Sequence, residues 1–215
     1  MKAFTAPLKN LEELQQIRDK LKKNKGILQV SGCIESQKAH FAYCVGQEYS
    51  RKLIITYSDI RARELYENYS FYDKKVLLYP ARDLIFFQAD IQSNQIEKQR
   101  MEVLRALMEE QDITVITTLP GCMDRLLPLE ALKEHVLEYT CDSTLDLQKL
   151  AAKLVEMGYE KVTQVEGGGQ FAIRGGIIDI FPLTEENPVR MELWGDEIDS
   201  IRSFDIMTQR SIENL

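Results

Sequence analysis

Apolar and polar positions change period twice along this chain, and the changes outline its architecture. The first stretch alternates helical and strand patterns. Leu8–Lys23 carries apolar residues at helical spacing and is followed by the apolar run Ile27–Val30, which predicts a first strand. A helix from Ser36 to Tyr49 then leads to a second strand, Lys52–Thr56. Ser58 and Asp59 open the next helix, up to Tyr69, because their side chains can accept from free backbone N–H groups. Lys75–Tyr79 predicts a third strand, Asn94–Glu110 a long helix and Ile113–Thr118 a fourth strand. Strands joined by helix-length connections imply an α/β fold: a mainly parallel sheet with helices on both faces.

Beyond residue 127 the pattern shortens. Thr144–Met157 reads as one helix, capped by Ser143 or Asp142, with Leu147, Leu150, Leu154 and Met157 on its inner stripe. Gly158 follows where a left-handed residue ends a helix. The rest alternates at period two. Gly167-Gly168-Gly169 reads as a turn between strands, and Gly175-Gly176 as a bend between Phe171–Arg174 and Ile177–Phe181, with Asp179 and Pro182 organising the corner. In Val189–Trp194 the residues Val189, Met191 and Leu193 point one way, and Arg190, Glu192 and Trp194 the other. Gly195-Asp196 then turns the chain into Glu197–Phe204. A small α+β unit over 128–215 follows an α/β domain over 1–127.

Charge separates the same two parts. The 215 residues carry a net charge of −7. Residues 1–135 hold 20 Lys and Arg against 19 Asp and Glu, whereas residues 136–215 hold 7 against 15. An acidic second part argues against wrapping DNA, which needs clustered cations to displace counterions from phosphates. Cys33, Cys44, Cys122 and Cys141 form no close pair, and with only His40 and His135 no metal-ligand spacing arises. Reduced thiols in a cytoplasmic protein are expected. No apolar run approaches the ~20 residues of a membrane helix.

Two local features bear on function. The turn after the first expected strand reads Gly32-Cys33-Ile34-Glu35-Ser36-Gln37-Lys38-Ala39. A phosphate loop of the form G-x-x-x-x-G-K-[ST] would have Gly32 and Lys38 in place. Gln37 stands where the second glycine belongs, Ala39 where the magnesium-binding hydroxyl belongs, and Glu35 adds like charge to the cradle. Either this is a phosphate loop that has lost its grip or it is an ordinary strand-to-helix turn. The second feature is Trp194 beside Arg190 on the polar face of a hairpin, the composition of a protein-binding hot spot. For the arginines the simpler alternative is a surface pair with Glu192 or Asp199, which contributes roughly 0–1 kcal/mol. Arg202 and Arg210 are less specific and suit internal ion pairs.

The stretches RGGIIDIFP, PVRMELWGDEIDSI and SFDIMTQRS, together with LYPARDLIFFQADIQSNQIEKQRMEVLRAL and ITVITTLPGCMDRLLP, resemble the module shared by UvrB and the bacterial transcription-repair coupling factors (Mfd). The resemblance to the coupling factors runs through most of the chain. It implies a degenerate P-loop NTPase-like domain similar to UvrB domain 1a, followed by a domain similar to UvrB domain 2. Coupling factors carry a degenerate phosphate loop and UvrB an intact one, so Gly32, Gln37, Lys38 and Ala39 favour the former and a non-binding loop. UvrB-like proteins insert a DNA-clamping hairpin near Arg82–Phe87, but the short span to Asn94 leaves little room, and Phe86 and Phe87 are expected to pack internally.

The resemblance further implies that the second domain recruits UvrA, the damage-recognition ATPase of nucleotide excision repair, through positions matching Arg174, Arg190 and Trp194. The aromatic is often Phe in the family, so Trp alters the size of the anchor. On this reading the chain is a non-catalytic, cytoplasmic adaptor fragment without cofactor of its own. ATP and magnesium serve motor regions lying beyond Leu215, as do contacts with RNA polymerase, duplex DNA and a C-terminal domain that masks the docking face. The end of the chain shortly after a strand suggests truncation. The competing expectation is a UvrB-like, ATP-dependent damage-binding subunit.

Overall fold

The computed structural model describes residue 8 and residues 11–23, 26–82, 90–109 and 111–215, with side chains in the helix beginning at Asp90 described from residue 95. The expected packing of Phe86 and Phe87 lies outside the described residues. The chain divides into two compact units, Met1–Ile85 with Glu102–Arg125, and Phe86–Met101 with Leu126–Leu215.

The first unit holds a three-stranded parallel sheet of β1 (Arg51–Thr56), β2 (Val76–Tyr79) and β3 (Ile113–Thr118), in the order β1-β3-β2. β3 is ITVITT and every residue of it is buried, as a β-branched strand at the centre of a two-sided sheet must be. One face carries Val76, Leu78 and Ile116 against Ala39 of α2 (Glu35–Gly46) and Ala62 and Tyr69 of α3 (Asp59–Ser70). The other carries Tyr79, Ile113 and Val115 against Val103 and Ala106 of α4 (Asp90–Met108). The helix α1 (Glu12–Lys23) precedes these elements. The expected cap is present: Ser58 Oγ accepts from the Arg61 N–H at 3.3 Å.

One expected strand is absent. Residues 27–30 form no ladder, and Ile27 is fully exposed. So short a run, three apolar residues and Gln29, specifies a strand only if a neighbouring edge pairs with it. β1 remains an edge strand, and its outward Leu53 and Ile55 stay more than half exposed.

After two short helices, α5 (Leu119–Met123) and α6 (Leu129–Lys133), the second unit contains α7 (Leu147–Glu156) and six strands. These are β4 (Glu160–Lys161), β5 (Gln170–Arg174), β6 (Ile177–Phe181), β7 (Val189–Trp194), β8 (Glu197–Phe204) and β9 (Ser211–Asn214), joined in sequential order. Only β4 and β5 run parallel. The helix starts three residues later than its pattern suggests. Its cap is Asp146, whose Oδ1 accepts from the Gln148 and Lys149 N–H groups at 3.0 and 3.1 Å. Leu150 and Leu154 pack onto Phe171, Ile178, Met191 and Ile198, which line the inner face of the sheet. The other sheet face is the one that bears charge.

Candidate protein-binding site

The outer face of the β5–β8 sheet is built by strand alternation. Asp179 of β6 lies directly opposite Ala172 of β5 on one side and Arg190 of β7 on the other. Arg174, diagonal to Asp179 across the β5–β6 pair, reaches over the small Ala172 to Asp179. The Asp179 side chain is 1% exposed. Its Oδ1 accepts from Arg190 Nε at 2.6 Å, and its Oδ2 accepts from Arg190 Nη2 at 2.9 Å and from Arg174 Nη2 at 2.5 Å. Asp179 therefore does not organise the corner before Pro182. It sits in mid-strand beneath two guanidinium groups.

Arg190 is held from two further directions. Its Nη2 also donates to Gln209 Oε1 at 3.1 Å, and its guanidinium lies 4.3 Å from the centre of the buried Phe204 ring. The pKa of Arg190 is raised, chiefly by the hydrogen bond to Asp179, with burial acting in the opposite sense. The surface pairing of Arg190 with Glu192 or Asp199 that composition suggested is replaced by this buried one. Arg202 takes Glu192 instead, closing an internal pair. Arg210 is exposed.

The three expected residues differ in what they offer. The Arg190 side chain is only 16% exposed, the Arg174 side chain is 46% exposed, and Trp194 is 84% exposed. Trp194 ends β7 at the Gly195-Asp196 turn, where Gly195 has φ +65°, as the sequence anticipated. The Arg174 hairpin is tied to the same strand. The Leu193 N–H donates to the Gly176 carbonyl at 2.8 Å, and a Cβ at Gly176 would stand 3.0 Å from the Leu193 carbonyl oxygen. A side chain here would push the two strands apart by a few tenths of an ångström, so glycine favours the approach. The result is a fixed cationic patch bordered by an unpacked indole.

The Gly32–Ala39 turn has a different geometry. Gly32 has φ +92°, while Gln37, Lys38 and Ala39 already belong to α2. Ala39 is buried in the core, so the position where a magnesium-binding hydroxyl would be needed faces apolar neighbours. Glu35 pairs with both Lys38 and Arg61. These three charges line a cleft of about 580 Å³ that also carries Ile54, Tyr57 and Leu119. The donor set does not fit a magnesium-bound triphosphate: Ala39 supplies no metal ligand, and Glu35 sets a negative charge beside Lys38.

Comparison with known proteins places the second part of the chain in a family. Residues 137–215 match the family model of the UvrB interaction domain. The second unit thus carries a domain of the class whose outer sheet face has just been described. The transcription-repair-coupling factor of Bacillus subtilis (strain 168) is 35% identical over 189 residues, 86% of this chain and 16% of that protein. Those of Staphylococcus aureus (strain MRSA252) and Staphylococcus haemolyticus (strain JCSC1435) are 40% and 39% identical over 64% and 66% of the chain, and 12% of each relative. The chain is similar to these transcription-repair-coupling factors, and spans about a sixth or less of their length. No helix among the described residues is long and apolar enough to cross a membrane.

Proposed function

We propose that this chain is a non-catalytic adaptor that recruits UvrA, with the recognition face on β5–β8 and Arg174, Arg190 and Trp194 as its central residues. The single observation that carries the proposal is Trp194, an indole 84% exposed beside an ordered arginine pair. A buried aromatic removes roughly 150–250 Å² from water. At about 25 cal/mol per Å² this is worth several kcal/mol before the costs of association. No such gain is available to the free chain. The membership of residues 137–215 in the UvrB interaction domain class supports the same face.

The first part, up to about residue 127, is a vestigial nucleotide fold similar to UvrB domain 1a. The second is similar to UvrB domain 2. Neither binds ATP or magnesium. Motor activity, RNA polymerase binding, duplex DNA binding and masking by a C-terminal domain belong to further regions of a cytoplasmic coupling factor. Immobilised UvrA should retain the chain at micromolar concentration or better, and failure to retain it removes the adaptor reading. The second reading, a UvrB-like ATP-dependent damage-binding subunit, draws on Gly32 and Lys38 at phosphate-loop spacing. Magnesium-dependent ATP binding abolished by Lys38→Ala would favour it.

A further inference from the structure

We propose that Asp179 is a positioning residue of the recognition face, a buried anion that fixes both arginines so that they act as one unit with a single surplus positive charge directed outward through Arg174. The inference rests on the adaptor reading and adds to it a residue that does not itself reach solvent.

The geometry has four parts. Asp179 is inaccessible, so it can serve a partner only through other side chains. Both of its oxygens are engaged, one by Arg190 alone and one by Arg190 and Arg174 together. A planar guanidinium gripping a carboxylate at two points is fixed in orientation as well as position. Arg190 is then locked from the far side by Gln209, which has φ +59° and whose Nε2 donates to the Ile206 carbonyl at 2.8 Å. A non-glycine residue in the left-handed region is uncommon and costs backbone energy, so the surrounding contacts must hold it.

Charge then decides the role of each arginine. One carboxylate neutralises one of the two cations, and Arg190 has the closer, bidentate share and little exposure. The unneutralised charge is displaced towards Arg174, which meets Asp179 through Nη2 and whose side chain is 46% exposed. The partner feature that fits is a carboxylate presented to Arg174, next to an apolar recess for the indole. Without Asp179 the two arginines would repel one another, and each would have to be ordered at the moment of binding.

The test uses the 215-residue chain with UvrA, and two variants that retain side-chain size. Asp179→Asn removes the buried charge. Arg190→Lys keeps the positive charge and loses the two-point grip. Each should weaken UvrA binding by about tenfold or more. In the Asp179→Asn background, a further Arg174→Gln change should cost far less than it does in the unmodified chain, because residues sharing a partner are not additive. The free chain supplies a readout of positioning that does not involve UvrA. The Arg190 Nε–H should give a slowly exchanging NMR signal that becomes fast in Asp179→Asn. Binding within twofold of the unmodified chain in both variants, or full additivity of Asp179→Asn and Arg174→Gln, overturns the inference. If those results accompany a large loss from Trp194→Ala, the adaptor reading stands alone. If the unmodified chain does not bind UvrA at all, that reading fails, and the proposed role of Asp179 fails with it.

Discussion

Both units of the molecule place one carboxylate between two cations, and the contrast between the two clusters separates their roles. In the first unit Glu35 meets Lys38 and Arg61 at the start of α2. Its side chain is 58% exposed and that of Lys38 is 49% exposed. In the second unit Asp179 meets Arg174 and Arg190 with 1% of its side chain exposed. Water screens the first cluster, so its geometry costs little to change. The second is desolvated at Asp179 and Arg190, and removing Asp179 leaves the mostly buried Arg190 guanidinium without its two-point partner. The first cluster is a solvated surface pair, while the second, on the proposed reading, is a scaffold for the recognition face.

The largest expected effect lies in the buried cluster. Asp179→Ala removes both the charge and the volume beneath two guanidiniums and should destabilise the second unit by about 3 kcal/mol, the lower end for a broken buried pair, because Arg174 can turn into solvent. Urea unfolding followed by far-ultraviolet circular dichroism would measure it. Trp194→Ala should lower UvrA affinity by about 2 kcal/mol or more, yet shift unfolding by no more than about 0.5 kcal/mol, since the indole packs on nothing it would leave empty. Arg190→Ala should also weaken UvrA binding by about 2 kcal/mol, but with a loss of stability that Trp194→Ala lacks. Calorimetry and unfolding on the two variants together distinguish an anchor from a buttress.

Smaller effects belong to exposed carboxylates. Glu35→Ala should change stability by less than about 1 kcal/mol, and nucleotide titration followed by fluorescence should show no magnesium-dependent binding, because Ala39 still supplies no metal ligand. The smallest effect concerns pH. The Asp146 carboxyl is held below its ordinary value, first by the Lys149 N–H and then, against some desolvation, by the Gln148 N–H. Its folded pKa is depressed, so its contribution is complete above about 3.8, the unperturbed value, and is lost as pH falls through the folded one. Acid titration should therefore expose the first-turn amides of α7 to hydrogen exchange only below that range, and Asp146→Asn should flatten the dependence.

Much of this was legible before any coordinates. Period-two alternation placed Arg190, Glu192 and Trp194 on one face of β7, and Gly195-Asp196 marked the turn, because hairpin chemistry is local. The Ser58 cap and the buried run of β3 were legible for the same reason. Two failures have a common cause in long-range pairing. Ile27–Val30 has strand composition but no ladder, which no local pattern can reveal. The sequence pattern assigns Asp179, with Pro182, to the corner at the Gly175-Gly176 bend, whereas it sits in mid-strand. A signal existed nevertheless: a lone carboxylate in the apolar run Ile177–Phe181 must find a cation when buried, and arginines flank it in both adjacent strands. The pairing partner could be identified only once the register was known.

The most direct measurement is a calorimetric titration of UvrA with the unmodified chain and with Trp194→Ala, matched by thermal unfolding of both proteins. The account predicts a complex of micromolar affinity or better, weakened about thirtyfold or more by the substitution, with superimposable unfolding curves. Equal affinity of the two proteins, or loss of binding that accompanies loss of folding, would contradict it.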